Sequence, residues 1–123
     1  MRALVTLRLC LMPFLAWSVT VHAQTQELTF ELKVEHGAVP ANMRLIRVKQ
    51  GDALKLRWSS DRPITLHLHG YDIECKVVPG RVVEMAFTAN VTGRFPVEEH
   101  RADAGGGHSH GQAPLVRLEV YPR

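Results

Sequence analysis

Apolar and polar residues alternate with a period of two through most of the chain. Leu28, Phe30, Leu32 and Val34 are interleaved with Thr29, Glu31, Lys33 and Glu35, the repeat of a strand that buries one face and wets the other. His36-Gly37-Ala38-Val39-Pro40 ends that run, and Met43 to Lys49 is a second β-rich stretch. Gln50-Gly51-Asp52 reads as a tight turn into Leu54, Leu56 and Trp58, so the second and third runs are expected to form a hairpin. After the polar break from Ser59 to Pro63, Ile64, Leu66 and Leu68 alternate with Thr65, His67 and His69 up to Gly70. Pro79-Gly80 predicts a turn before Arg81 to Thr88, where Val83, Met85 and Phe87 share a face. Asn90 to Gly93 turns the chain again, Arg94 to Glu99 forms a short run, and Leu115 to Tyr121, with Leu118 and Val120, closes the pattern. About seven short strands with regular turn signals and no amphipathic helix predict an all-β sandwich or barrel. The stretch from Arg101 to Pro114 is too rich in glycine and histidine for a regular element and is expected to be a loop.

The first 23 residues have a different character. Arg2 and Arg8 supply positive charge, Leu9 to Val21 is mostly apolar, and Val21-His22-Ala23 has the form of a cleavage site. Residues 1–23 are therefore expected to be a signal peptide and 24–123 the mature domain, periplasmic or secreted. Pro13 interrupts the apolar stretch, which is short against the roughly 20 residues that a bilayer span needs, so no membrane insertion is expected after cleavage.

Export changes the charge and thiol count. The chain carries 15 Lys plus Arg against 12 Asp plus Glu. Loss of Arg2 and Arg8 leaves 13 basic against 12 acidic side chains, a balance of +1 that gives no reason to expect nucleic acid. Cys10 also leaves, so Cys75 becomes the single thiol, with no partner for an internal disulfide. About a hundred residues suffice for one domain with one core.

Candidate chemistry lies in the histidines. His67 and His69 end an apolar run, while His100, His108 and His110 lie near the C-terminus, and two remote imidazole groups can share a metal only if the fold brings them together. A competing reading has His67 and His69 on one outward strand face, opposite Ile64, Leu66 and Leu68, as ordinary solvated residues. In that reading His100 is a polar loop residue, and His108 and His110 belong to a solvated loop. His36 reads as a turn residue, Cys75 as a small half-buried side chain, Met43, Trp58 and Phe87 as core. Asp72 and Glu74 are candidates to hydrogen-bond imidazole from behind. No phosphate-binding glycine loop, nucleophile elbow or His-Glu-x-x-His helix occurs, so no enzyme is expected.

The order of landmarks carries a resemblance. Gly51-Asp52 before an alternating strand, His69-Gly70-Tyr71 leading through a loop to Pro79-Gly80-Arg81, then Thr92-Gly93-Arg94-Phe95 and His100 before a terminal strand resemble the cupredoxin family. The likeness is to divergent bacterial periplasmic members and to the copper domain of cytochrome oxidase subunit II, and runs from Leu28 to Tyr121. It implies a cupredoxin-like Greek-key β-sandwich with copper held near one end, between the loop after a middle strand and the loop before the last. By that resemblance His69 stands for the first histidine ligand and His100 for the second, with His108 and His110 where later ligands fall. The family's thiolate is missing: Phe95-Pro96-Val97-Glu98-Glu99-His100 contains no cysteine, and alternation from Phe95 and Val97 puts Glu99 nearest its place.

What remains is a nitrogen- and oxygen-rich set suited to Cu(II), with Zn(II) as competitor. The leading expectation is an exported copper carrier that binds through His69 and His100, with His67, His108, His110 and Glu99 as further ligands. Its expected partners are the metal ion and a periplasmic or membrane-associated copper-handling protein. A metal-free interaction or accessory domain, and an atypical electron-transfer site using Cys75, are the alternatives.

Overall fold

The computed structural model describes residues 27–100 and 113–123. The leader expectation for residues 1–23, most of the expected loop, and the ligand roles of His108 and His110 lie outside the described residues. The strands are β1 (Glu27–Val34), β2 (Leu45–Lys49), β3 (Ala53–Ser60), β4 (Ile64–Leu68), β5 (Ile73–Val77), β6 (Val83–Thr88), β7 (Gly93–His100) and β8 (Val116–Tyr121), with one 3-10 turn at Ala41–Met43. They form a three-stranded sheet in the order β1-β3-β6 and a five-stranded sheet in the order β2-β8-β7-β4-β5. This is the expected all-β sandwich, with eight strands among the described residues.

The period-two pattern decides what lies between the sheets. Leu28, Phe30 and Leu32 pair in register with Leu54, Leu56 and Trp58, and these in turn with Phe87, Met85 and Val83, giving one apolar face to the smaller sheet. Ile46, Val48, Leu66, Leu68, Val97, Val116, Leu118 and Val120 supply the facing surface. Trp58, Leu56, Leu66, Leu68 and Val97 are fully buried. At roughly 25 cal/mol for each Å² of apolar surface removed from water, these interlocked faces are the main stabilising term.

Two expectations about connectivity are corrected. β2 and β3 do not form a hairpin: β2 pairs in parallel with β8, whereas β3 pairs with β1 and β6. Both runs carry inward apolar residues, so the turn at Gln50-Gly51 sends the chain across the core to the opposite sheet. Gly51, at φ 89°, and Asp52 make that crossing. The Asp52 carboxylate accepts from the Lys49 N–H at 3.0 Å, and its carbonyl accepts from the Ala89 N–H at 2.9 Å. The second correction is β5, an edge strand inside what reads as a loop. Ile73, Cys75 and Val77 alternate with Glu74 and Lys76, but only Val77 is fully buried, so its hydrophobic signal is weak.

One end of the sandwich is braced by polar contacts. His36, at φ 53°, donates its backbone N–H to Asp61 at 2.8 Å, the turn role expected of it. Next to Asp61, the Arg62 guanidinium makes two parallel hydrogen bonds to Glu99, at 2.6 and 2.7 Å.

Candidate metal centre

His67 lies inside β4 and His69 one residue beyond its end, on the side opposite Leu66 and Leu68, which are 0% exposed. Strand pairing persists as far as His69, whose backbone N–H donates to Pro96 at 3.0 Å. The left-handed turn falls on Gly70, at φ 86°, too late to re-aim the imidazole. His69 therefore keeps the outward face it shares with His67. His100 ends β7 opposite Thr65, and Glu98 lies opposite His67, so both also project outward.

The result is a group of three imidazoles from two adjacent strands. His67, His69 and His100 each offer a ligand atom within 4.8 Å of the others. Ring centroids are 4.2 Å apart for His67 and His69, 5.1 Å for His67 and His100, and 6.4 Å for His69 and His100. His67 and His69 are half-buried and His100 is exposed.

Hydrogen bonding separates these rings from an ordinary solvated surface. Among the described residues, the buried side-chain nitrogens or oxygens without a hydrogen-bond partner are Trp58 Nε1, His67 Nδ1 and His69 Nε2. Two of these three belong to the group. Leaving a polar atom buried and unpaired costs about 1–3 kcal/mol, and an ion bound to imidazole lone pairs removes that cost. His67 Nε2 is already engaged, 3.3 Å from Asp72 Oδ1. Glu98 Oε2 lies 3.1 Å from His69 Nε2, without the alignment of a hydrogen bond, and places an anionic oxygen at the edge of the group.

The other expected site residues are placed differently. Glu99 alternates onto the opposite face of the sheet, in register with Leu66, and is held by Arg62. Its expected ligand role is thereby corrected: the carboxylate beside the histidines is Glu98. The signal was available, since Glu98 and His100 are two residues apart and share a strand face. Cys75 also faces inward, paired with Leu66, and burial first, then the charge of Glu74, pushes its thiol pKa up to about 11. A copper site built on Cys75 and these imidazoles would have to pass through the sheet. The position implied by the resemblance is corrected as well. The trio sits on the outer surface of the five-stranded sheet, because regular pleating carries His67, His69 and His100 there, and not between loops at one end.

The architecture and this outward histidine group define a cupredoxin-like β-sandwich with a candidate metal centre. No family model matches the chain, and no curated protein matches it. Solved structures of the same fold include the periplasmic domain of subunit II of cytochrome oxidase (CoxB) of Bradyrhizobium japonicum. It is 18% identical, with a TM-score of 0.57 over 77% of this chain and 84% of that one. A copper binding protein in its apo form aligns with a TM-score of 0.58 at 12% identity, over 80% of this chain and 92% of that one. A multi-copper oxidase from Pseudomonas thermotolerans aligns with a TM-score of 0.59 at 23% identity, over 81% of this chain but 31% of the oxidase. These likenesses establish the fold.

Proposed function

We propose that this protein is an exported copper-binding protein, a carrier and not an enzyme, which holds Cu(II) through His67, His69 and His100, with the Glu98 carboxylate as an additional oxygen donor. The observation that carries the reading is the pair of buried, unpartnered ring nitrogens inside a three-imidazole group. Imidazole and carboxylate donors suit Cu(II), and Zn(II) competes for the same set. A copper binding protein and a multi-copper oxidase of the same fold support copper over zinc.

An outer sheet face is accessible, and His100 is exposed, so an ion held there can be exchanged with a docking protein. We assign that role to a periplasmic or membrane-associated copper-handling partner. The periplasmic neighbour supports the compartment, and no helix among the described residues is long and apolar enough to cross a membrane.

Titration of the purified chain with Cu(II) and Zn(II) tests the reading. One equivalent of Cu(II) should bind at micromolar protein, with nitrogen hyperfine structure in the EPR spectrum, and lose affinity on acidification as protons compete for imidazole. His67→Ala, His69→Ala and His100→Ala should each weaken it. Failure of both metals to bind, or full binding by the triple variant, overturns the proposal. In that event, recovery of a stable periplasmic partner in the presence of chelator would assign the chain as a metal-free interaction domain.

A further inference from the structure

We infer that Asp72 is a positioning residue of this centre: its carboxylate holds the proton of His67 on Nε2, so that His67 meets a divalent cation through Nδ1, whereas His69 does so through Nε2. The inference rests on the metal-binding reading above and specifies which atoms bind. His67 has two ring nitrogens with different surroundings. Nε2 is 3.3 Å from Asp72 Oδ1, and Nδ1 is buried without a partner. A carboxylate only accepts, so the shared proton belongs to Nε2, and the lone pair of the neutral ring is left on Nδ1. In His69 the atom without a hydrogen-bond partner is Nε2: the Glu98 carboxylate lies 3.1 Å from it but out of line for an N–H, the arrangement of two donors to one ion and not of a donor and its acceptor. The two rings therefore present opposite nitrogens.

The backbone shows how Asp72 comes to be there. Gly70 and Asp72 are both left-handed, at φ 86° and 55°, which returns the chain from β4 into β5 and leaves residue 72 beside the ring of residue 67. Aspartate tolerates that conformation better than most side chains. The Asp72 side chain is almost fully exposed and packs against no core residue, so its one contact of note is the imidazole.

Glycine and asparagine at this position keep the backbone, and Glu74 supplies the control. Glu74 faces His67 across the β4–β5 pair but makes no hydrogen bond to its ring, so Glu74→Gln removes one negative charge from the same neighbourhood. Carboxylates behind metal-bound histidines typically contribute tenfold to a hundredfold in affinity. Asp72→Gly should therefore weaken Zn(II) and Cu(II) binding by about tenfold or more, Asp72→Asn by less because its amide oxygen still accepts, and Glu74→Gln by little. In the Zn(II)-loaded wild type, imidazole 15N shifts should mark Nδ1 of His67 and Nε2 of His69 as the coordinated atoms. The inference is overturned if wild type binds metal with His67 coordinated through Nε2, or if Asp72→Gly and Glu74→Gln weaken binding equally. Absence of any metal binding by wild type is a different result, and it defeats the parent reading.

Discussion

Gly70 joins the candidate centre to the core, and its replacement by alanine has a cost that the structure fixes. A Cβ built on Gly70 would lie 2.8 Å from Phe95 Cε1 and nearer still to Cδ1, inside any real carbon contact. The backbone there is left-handed, at φ 86°, which costs a residue with a Cβ about 1–2 kcal/mol. Displacing Phe95, whose ring packs edge-on against Tyr71 with centroids 4.8 Å apart, adds about 1–3 kcal/mol as in other overpacked sites. Gly70→Ala should therefore destabilise by about 2–5 kcal/mol in total. For a domain of this size that is a fall in Tm of at least about 8 °C. Thermal and urea unfolding followed by circular dichroism would measure it. Phe95→Leu in the Gly70→Ala background should cost less than Phe95→Leu alone, because it relieves the overlap while leaving the backbone strain. An effect of Gly70→Ala below about 0.5 kcal/mol, or strict additivity of the two changes, would refute the reasoning.

Other expected outcomes separate the two faces of the sheet. Glu98→Gln should weaken Cu(II) binding with little change in stability. Glu99→Gln should do the reverse, losing about 1–2 kcal/mol in urea unfolding as the Arg62 fork is broken, with Cu(II) stoichiometry kept; a larger affinity loss from Glu99→Gln would reverse their assignment. Cys75, raised to about 11 in the folded chain, should react slowly with iodoacetamide near neutral pH, and the copper-loaded protein should lack an intense thiolate band. Because folding favours the neutral thiol, its contribution to stability is present below the thiol's ordinary pKa and is lost as pH rises towards about 11. Cys75→Ser should flatten the stability profile in that window, and unfolding curves that keep the same pH dependence in both proteins would count against the burial argument. Glu119 is held below the ordinary carboxylate range by the Tyr121 hydroxyl first and then by Arg47 and Arg94. Its contribution is present above the ordinary carboxylate pKa and lost on acidification through the lowered value, so Glu119→Gln should be less acid-sensitive than wild type in the same unfolding assay.

The sandwich is legible wherever a strand has one dry face. β1, β3, β4, β6 and β8 announce themselves because leucine, valine, phenylalanine and methionine recur at every second position. β5 does not, because an edge strand buries little and its middle inward residue is a cysteine. The β2–β3 hairpin failed for a related reason: a turn signal shows that the chain reverses but not whether it stays in the same sheet. At the candidate centre, period two already put His67 and His69 on one outward face, and the three rings meet by that regularity, without a loop rearrangement. The mistaken carboxylate came from tracing an inward thiolate position from Phe95 and Val97, which led to Glu99, while the imidazoles had gone outward. Asp72 and Glu74 both read as candidates to hydrogen-bond imidazole, and Asp72 does so; that it is Asp72 and not Glu74 depends on two left-handed residues that composition does not reveal.

The fork between Arg62 and Glu99 fixes the peptide immediately before His100 from the reverse side of the sheet. A strand's last residue would otherwise fray and swing its imidazole through a wide arc, but with its neighbour clamped inward, His100 has to face outward. Asp61 ties the same corner to the end of β1 through His36, so the anchorage extends to the opposite sheet. An arginine that touches no imidazole thus steadies the strand end that presents His100 to the candidate centre, a rear fastening whose loss should show in stability first and at the front only second.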